Sequence, residues 1–190
     1  MSTVFLDRDG VINENLPGYV RHWGEFCFVP GACDAIAQLT TAGHRIIVCT
    51  NQAGIATGEL SSYGVEEIHR RMLTEIEKVG GRVERVYYCP HGKQEGCLCR
   101  KPQPGLLLRA RSELGCDWTS AVFVGDSVTD VQAAISAGVF PILVLTGRGV
   151  EQLKHCASVV QRPFLVRENL FSASEAILRG AYTSKIEALV

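Results

Sequence analysis

A chain of 190 residues with 46% hydrophobic and 21% charged residues has the make-up of an ordinary globular protein, with enough length for one domain and a full core. Its net charge of −1 argues against a nucleic-acid binder, which usually carries a basic face. No apolar run reaches bilayer length. The N-terminus Met-Ser-Thr-Val-Phe-Leu-Asp has neither a basic region nor an apolar signal core, so no membrane partner is expected and the expected compartment is the cytoplasm.

In chain order, Thr3–Leu6 reads as a buried strand. Residues 8–29 show no clean period and contain Pro17-Gly18, the composition of a flap or loop. Residues 30–42 place Ala35, Ile36 and Leu39 on one helical face, with Gly43 as the stop. The apolar run over residues 44–50 predicts a strand covered on both faces. Ser61 and Ser62 can cap a helix reaching about Val79, ended by Gly80-Gly81. A strand over 83–89, a helix over 104–114, a strand over 121–125, a helix over 128–137 and a strand over 140–145 follow. Beyond Gly149 the pattern weakens: Glu175–Arg179 reads as the end of a last helix, and the tail from Gly180 as loosely held. Strands separated by helices predict an α/β fold, a Rossmann-like parallel sheet with helices on both faces. With no repeat or linker, residues 1–190 read as a single domain.

In such sheets ligands bind beyond the carboxyl ends of the strands. Four segments end there with useful chemistry: Asp7-Arg8-Asp9-Gly10, Thr50-Asn51-Gln52, Arg100-Lys101-Pro102 after the third strand, and Gly125-Asp126-Ser127 with Asp130 a turn later. Asp7 and Asp9 are two apart, so an extended backbone aims both to one side. Singly, each piece has a bland reading: Asp-Gly is a common turn, and Asp-Ser before a helix is ordinary capping. Together they offer carboxylates for a hard divalent cation, a hydroxyl and two cations, the mixture a phosphoryl group requires.

Cysteine is frequent, with eight residues, and four potential ligands cluster as Cys89-Pro-His91 and, five residues on, Cys97-Leu-Cys99. Soft ligands this dense in a reducing compartment point to Zn²⁺ in a closed, structural site. Such a clip would order a polar loop and set Arg100 and Lys101 in place. Elsewhere, His22 and Trp23 fit either a substrate contact or flap packing. His69 sits among charges and reads as solvated. Cys49 reads as a buried strand residue. Thr146-Gly147-Arg148-Gly149 is a candidate anion-binding turn that lacks the fuller phosphate-loop pattern.

The four motifs, in this order over residues 3 to about 146, resemble those of the haloacid dehalogenase superfamily of phosphatases. The resemblance implies that Asp7 is the nucleophile, Asp9 the general acid and base, and Thr50 and Lys101 the holders of the phosphoryl oxygens. It implies Mg²⁺ between Asp7, the backbone carbonyl of Asp9, and Asp126. Asp130 is left with two roles, binding the metal through water or orienting Lys101. The zinc loop, with the stretches Asp7–Asn13 and Thr50–Gly54, resembles the heptose-bisphosphate branch of that superfamily. This implies a sugar bisphosphate losing its 7-phosphate, with Thr50, Asn51, Gln52, Arg100 and Lys101 as substrate-binding residues. It also implies no large cap domain. The alternatives are a histidinol-phosphate phosphatase, which shares the loop, and a receiver-like signalling domain. Asp9 argues against the latter, since a receiver has no general acid two residues after its phosphoacceptor. A monomer is expected.

Overall fold

The computed structural model describes residues 2–116 and 118–182. Among them a six-stranded parallel sheet has the order β3-β2-β1-β4-β5-β6, built from β1 (Thr3–Leu6), β2 (Arg45–Asn51), β3 (Arg85–Cys89), β4 (Val122–Gly125), β5 (Phe140–Val144) and β6 (Leu165–Arg167). The helices are α1 (Ala32–Thr41), α2 (Ser62–Lys78), α3 (Gly105–Leu114), α4 (Val128–Ala137), α5 (Gly149–Val159) and α6 (Leu170–Leu178).

Period-two alternation along the strands divides the core. Val4, Leu6, Ile46, Val48, Val122 and Val124 face one side, where they pack with Ala35, Ile36 and Leu39 of α1, Met72 and Ile76 of α2, and Leu170 and Ile177 of α6. Phe5, Ile47, Cys49 and Phe123 face the other, against Leu106, Leu107 and Ala110 of α3 and Ala133, Ala134 and Ala137 of α4. Strands covered on both sides have no polar face, which is why they read as continuous apolar runs.

The expected elements through residue 145 are present, with ends that differ by one or two residues. Ser61 caps α2 by accepting the Gly64 N–H at 3.0 Å, and Gly138 ends α4 in the left-handed conformation. The weak signal after Gly149 conceals α5 and β6. Only Gly149 and Cys156 of α5 are buried, and β6 is three residues long, so neither leaves a strong periodic trace. The tail begins anchored: Tyr182 is buried and stacks on Phe140 with ring centroids 6.0 Å apart. The remainder of the tail lies outside the described residues.

Strand order reverses between β1 and β4, so the chain leaves these two strands toward opposite halves of the sheet and opens a crevice at their carboxyl ends. The register Leu6↔Val124 and the bond from the Asp7 N–H to the Val124 carbonyl, 2.9 Å, bring the residues after the two strands together there. No helix among the described residues is long and apolar enough to cross a membrane.

Candidate active site

A cavity of about 600 Å³ opens over this crevice. Its floor includes Asp7, Asp9, Thr50, Lys101 and Asp130, and its walls include Leu16 and Tyr19 of the flap, Gly96 and Leu98 of the Cys/His loop, and Arg100. That volume suits a small polar ligand.

Lys101 organises the floor. Its Nζ lies 2.8 Å from Asp7 Oδ1 and 2.7 Å from Asp130 Oδ1, and it donates to the Cys49 carbonyl at 2.9 Å. The side chain is almost wholly buried. Burial works against its charge, but Asp130 and Asp7 overcome that and raise its pKa well above the ordinary lysine value. Asn51 pins the lysine's backbone in both directions: its Oδ1 accepts the Lys101 N–H at 3.1 Å and its Nδ2 donates to the Lys101 carbonyl at 3.2 Å. Asp130 also closes a capping box on α4, its Oδ2 accepting the Ser127 N–H at 3.0 Å and the Ser127 hydroxyl at 2.6 Å. Asp130 thus makes the contact that orienting Lys101 requires, and it also stands among the carboxylates that could hold a cation.

Asp126 is held by backbone. Gly10 and Gly147 adopt φ of +83° and +58°, and a Cβ on either would collide with the Asp126 carboxylate. Both positions therefore require glycine for conformation and for room. The Arg148 N–H donates to Asp126 Oδ2 at 2.8 Å, and the Thr146 hydroxyl donates to the Gly10 carbonyl at 2.6 Å. The turn at 146–149 thus binds an anion, but the anion is the protein's own carboxylate.

One carboxylate oxygen from each of Asp7, Asp126 and Asp130 lies within 4.8 Å of the others. Burial raises Asp7 to about 6, with Lys101 limiting the rise. Burial and the neighbouring Asp130 and Asp7 raise Asp126 to about 7. Asp126 Oδ1 is buried without a hydrogen-bond partner among the described residues. An unmatched oxygen among mutually repelling carboxylates fits a hard divalent cation.

Asp9 is held differently. Burial would raise its pKa, but the Arg8 guanidinium, with Asn13 and Gln52, lowers it below the ordinary carboxylate value. Arg8 Nη2 donates to both oxygens at 2.8 and 2.9 Å, Asn13 Nδ2 to Oδ1 at 2.9 Å, and Gln52 Nε2 to Oδ2 at 2.9 Å. Gln52 also donates to Thr50 Oγ1 at 3.0 Å. Expected to bind substrate, Gln52 is instead buried behind the floor, bracing Asp9 and Thr50.

The Cys/His loop forms a compact tetrad. Cys89 Sγ lies 3.6 Å from Cys97 Sγ and 3.2 Å from Cys99 Sγ, with Cys97 and Cys99 3.6 Å apart. His91 Nδ1 lies 3.5 Å from Cys89 Sγ and 3.2 Å from Cys99 Sγ. These are too long for disulfides. A zinc tetrahedron with Zn–S near 2.3 Å has edges of roughly 3.8 Å, close to those seen. Arg100 Nη1 donates to the His91 carbonyl at 3.1 Å, joining the loop to the cavity wall.

Two features were not read from the sequence. Arg8 is fully buried. His69, expected to be solvated, is 5% exposed; it lies four residues after Val65 and three before Met72 on the buried stripe of α2, and that spacing was the available signal. In the flap, Trp23 stacks on Phe26 at 4.9 Å and meets Phe28 edge-on, while His22 is exposed beside Glu25. Packing is therefore the role shown for Trp23.

A parallel sheet with this crevice, a carboxylate after β1, a buried lysine and a carboxylate after β4 defines a haloacid-dehalogenase-like hydrolase, and the HAD-hydrolase-like family matches residues 98–173. The D-glycero-β-D-manno-heptose-1,7-bisphosphate 7-phosphatase of Pseudomonas putida is 43% identical over 81% of this chain and 88% of its own. That of Pseudomonas aeruginosa is 38% identical over 94% and 98%. The D,D-heptose 1,7-bisphosphate phosphatase of Bordetella bronchiseptica, solved with magnesium and phosphate, is 36% identical and superposes with a TM-score of 0.90 over 95% of this chain and 99% of that one. The chain belongs to the phosphatase family that these relatives form, and it is a phosphoric monoester hydrolase.

Proposed function

We propose that residues 1–190 form one phosphatase domain that removes the 7-phosphate of D-glycero-D-manno-heptose 1,7-bisphosphate, with Mg²⁺ at the carboxylates and Zn²⁺ in the Cys/His loop. The observation that carries the reaction is Asp7 on the cavity floor, ion-paired with Lys101 at 2.8 Å, beside the unpartnered Asp126 Oδ1. The substrate rests on the relatives' activity.

Asp7, the Asp9 carbonyl and Asp126 would hold Mg²⁺, which supplies charge neutralisation of the phosphoryl oxygens when bound. An Asp7 oxygen attacks phosphorus as the bond to the sugar oxygen breaks, leaving an aspartyl-phosphate. Asp9 gives its proton to the departing sugar oxygen. It then takes a proton from the water that attacks phosphorus, releasing phosphate and restoring Asp7. Arg8 favours the charged form of Asp9, suited to the second step. The substrate's own negative charge beside Asp9 opposes Arg8 and favours the protonated form needed in the first. Lys101 and the Thr50 hydroxyl hold phosphoryl oxygens. Asn51 sets the backbone of Lys101, and Arg100 on the wall suits the distal phosphate. Thiolates that hold zinc must stay reduced, which supports the cytoplasm as the compartment. The cavity, about 600 Å³ with a polar floor, suits a free sugar phosphate.

Phosphate release with Mg²⁺ should be faster from heptose 1,7-bisphosphate than from histidinol phosphate. Release from neither, or a preference for histidinol phosphate, rejects the substrate. Asp7→Asn should abolish turnover with the circular-dichroism spectrum unchanged.

A further inference from the structure

We propose that His69 is a positioning residue for the reaction, holding Arg8 so that Arg8 fixes the proton-transferring carboxylate of Asp9. This rests on the reading of Asp9 as general acid and base. His69 lines no part of the cavity and cannot act on substrate directly.

The Arg8 side chain is fully buried. Its Nε and Nη2 face Asp9 Oδ1 at 3.3 and 2.8 Å, while its Nη1 lies 3.2 Å from His69 Nε2. A guanidinium has donors only, so His69 Nε2 must accept and the ring must be neutral with its proton on Nδ1. Burial, and then the Arg8 charge, lower His69 to about 3, in agreement with that assignment. The Tyr88 ring, 5.7 Å away, packs beside the imidazole, and Tyr88 is tied to Glu66 at 3.0 Å. The second fork of Arg8 is therefore anchored to α2.

The identity of the anchor matters. A carboxylate at position 69 would share the Arg8 charge with Asp9. An apolar side chain would leave a buried guanidinium donor unmatched and free the fork to turn. A neutral acceptor does neither: it satisfies Nη1 and leaves the whole charge for Asp9. Asp9 then receives donors from Arg8, Asn13 and Gln52 and keeps its side chain a quarter exposed toward the cavity.

The test uses the full chain with Mg²⁺ and two esters that differ in their need for a proton. Heptose 1,7-bisphosphate expels a basic sugar oxygen; p-nitrophenyl phosphate expels a weakly basic phenolate. In each case kcat/KM reports the step that forms the aspartyl-phosphate. His69→Met and His69→Phe should lower kcat/KM on the sugar ester by about 10–100-fold, part of what a general acid contributes, and lower it much less on the aryl ester. His69→Gln, whose Oε1 can accept from Arg8, should stay near wild type on both. Equal losses on the two esters in folded variants, or His69→Gln as impaired as His69→Phe, would overturn the inference. Should both apolar variants fail to fold, His69→Glu replaces them: its carboxylate pairs with Arg8 and turns the guanidinium away from Asp9, so that Asp9 loses its placement and activity on the sugar ester should fall selectively, and no selective loss overturns the inference. If wild type is inactive on the heptose ester, the substrate reading fails separately, and the same contrast is read on ribose 5-phosphate.

Discussion

At the scale of single residues the site is a set of buried charges, each meaningful only through its neighbours. Lys101 sits between Asp7 and Asp130 with almost no exposure. Replacing it leaves two buried carboxylates without a counter-charge. Lys101→Met should therefore lower stability by about 3–5 kcal/mol, read as a lower urea midpoint, together with loss of phosphatase activity. His69 gives a pH dependence with a definite sign. Its pKa falls from 6.5 to about 3 on folding, through burial and Arg8. Between those values the unfolded chain binds a proton that the folded chain does not. Its contribution is thus complete above pH 6.5 and is lost progressively as pH falls toward 3. Acid unfolding followed by circular dichroism should be displaced to lower pH in His69→Gln; an unchanged midpoint would contradict a neutral, buried imidazole.

At the scale of elements, the segment between β3 and α3 carries the distinctive chemistry. Cys89 closes β3 and is fully buried, whereas Cys97 and Cys99 lie on the half-exposed loop. A metal at the tetrad would tie loop to sheet and so fix Arg100 and Lys101, which follow directly. Metal analysis of protein prepared without chelator should find about one zinc per chain. Stripping it, or making Cys97→Ser, should raise amide hydrogen exchange over residues 90–104 and reduce phosphate release, while β1, β2 and β4 stay protected. Uniform loss of protection across the sheet would mean that the tetrad supports the whole fold instead.

At the scale of the molecule, the parallel sheet separates stability from chemistry. Phe5 lies one strand residue from Leu6, yet on the opposite face, packed edge-on against Trp118 at 5.6 Å. Phe5→Ala should cost about 3–5 kcal/mol in urea unfolding but leave kcat within a few-fold at temperatures where the protein stays folded, because Phe5 lies in the core and lines no part of the cavity.

The sheet and four of its loops were legible in the chain because buried parallel strands are short apolar runs and catalytic ends are bursts of polar residues after them. The motif order placed Asp7, Thr50, Lys101 and Asp126 at strand ends, and the Cys/His spacing marked the tetrad as a candidate metal site. These signals are local: side-chain period, turn glycines and ligand density act within a few residues. The partnerships are not local. Gln52 turned from the cavity to Asp9, the 146–149 turn took Asp126 as its anion, and His69 left the solvated face of α2 for Arg8, 61 positions earlier. Each depends on which strand ends become neighbours where the strand order reverses. Residue types and spacing therefore established the chemistry available to this chain. Folding established which group satisfies which, because a buried charge must be matched by whatever the fold brings within hydrogen-bond reach.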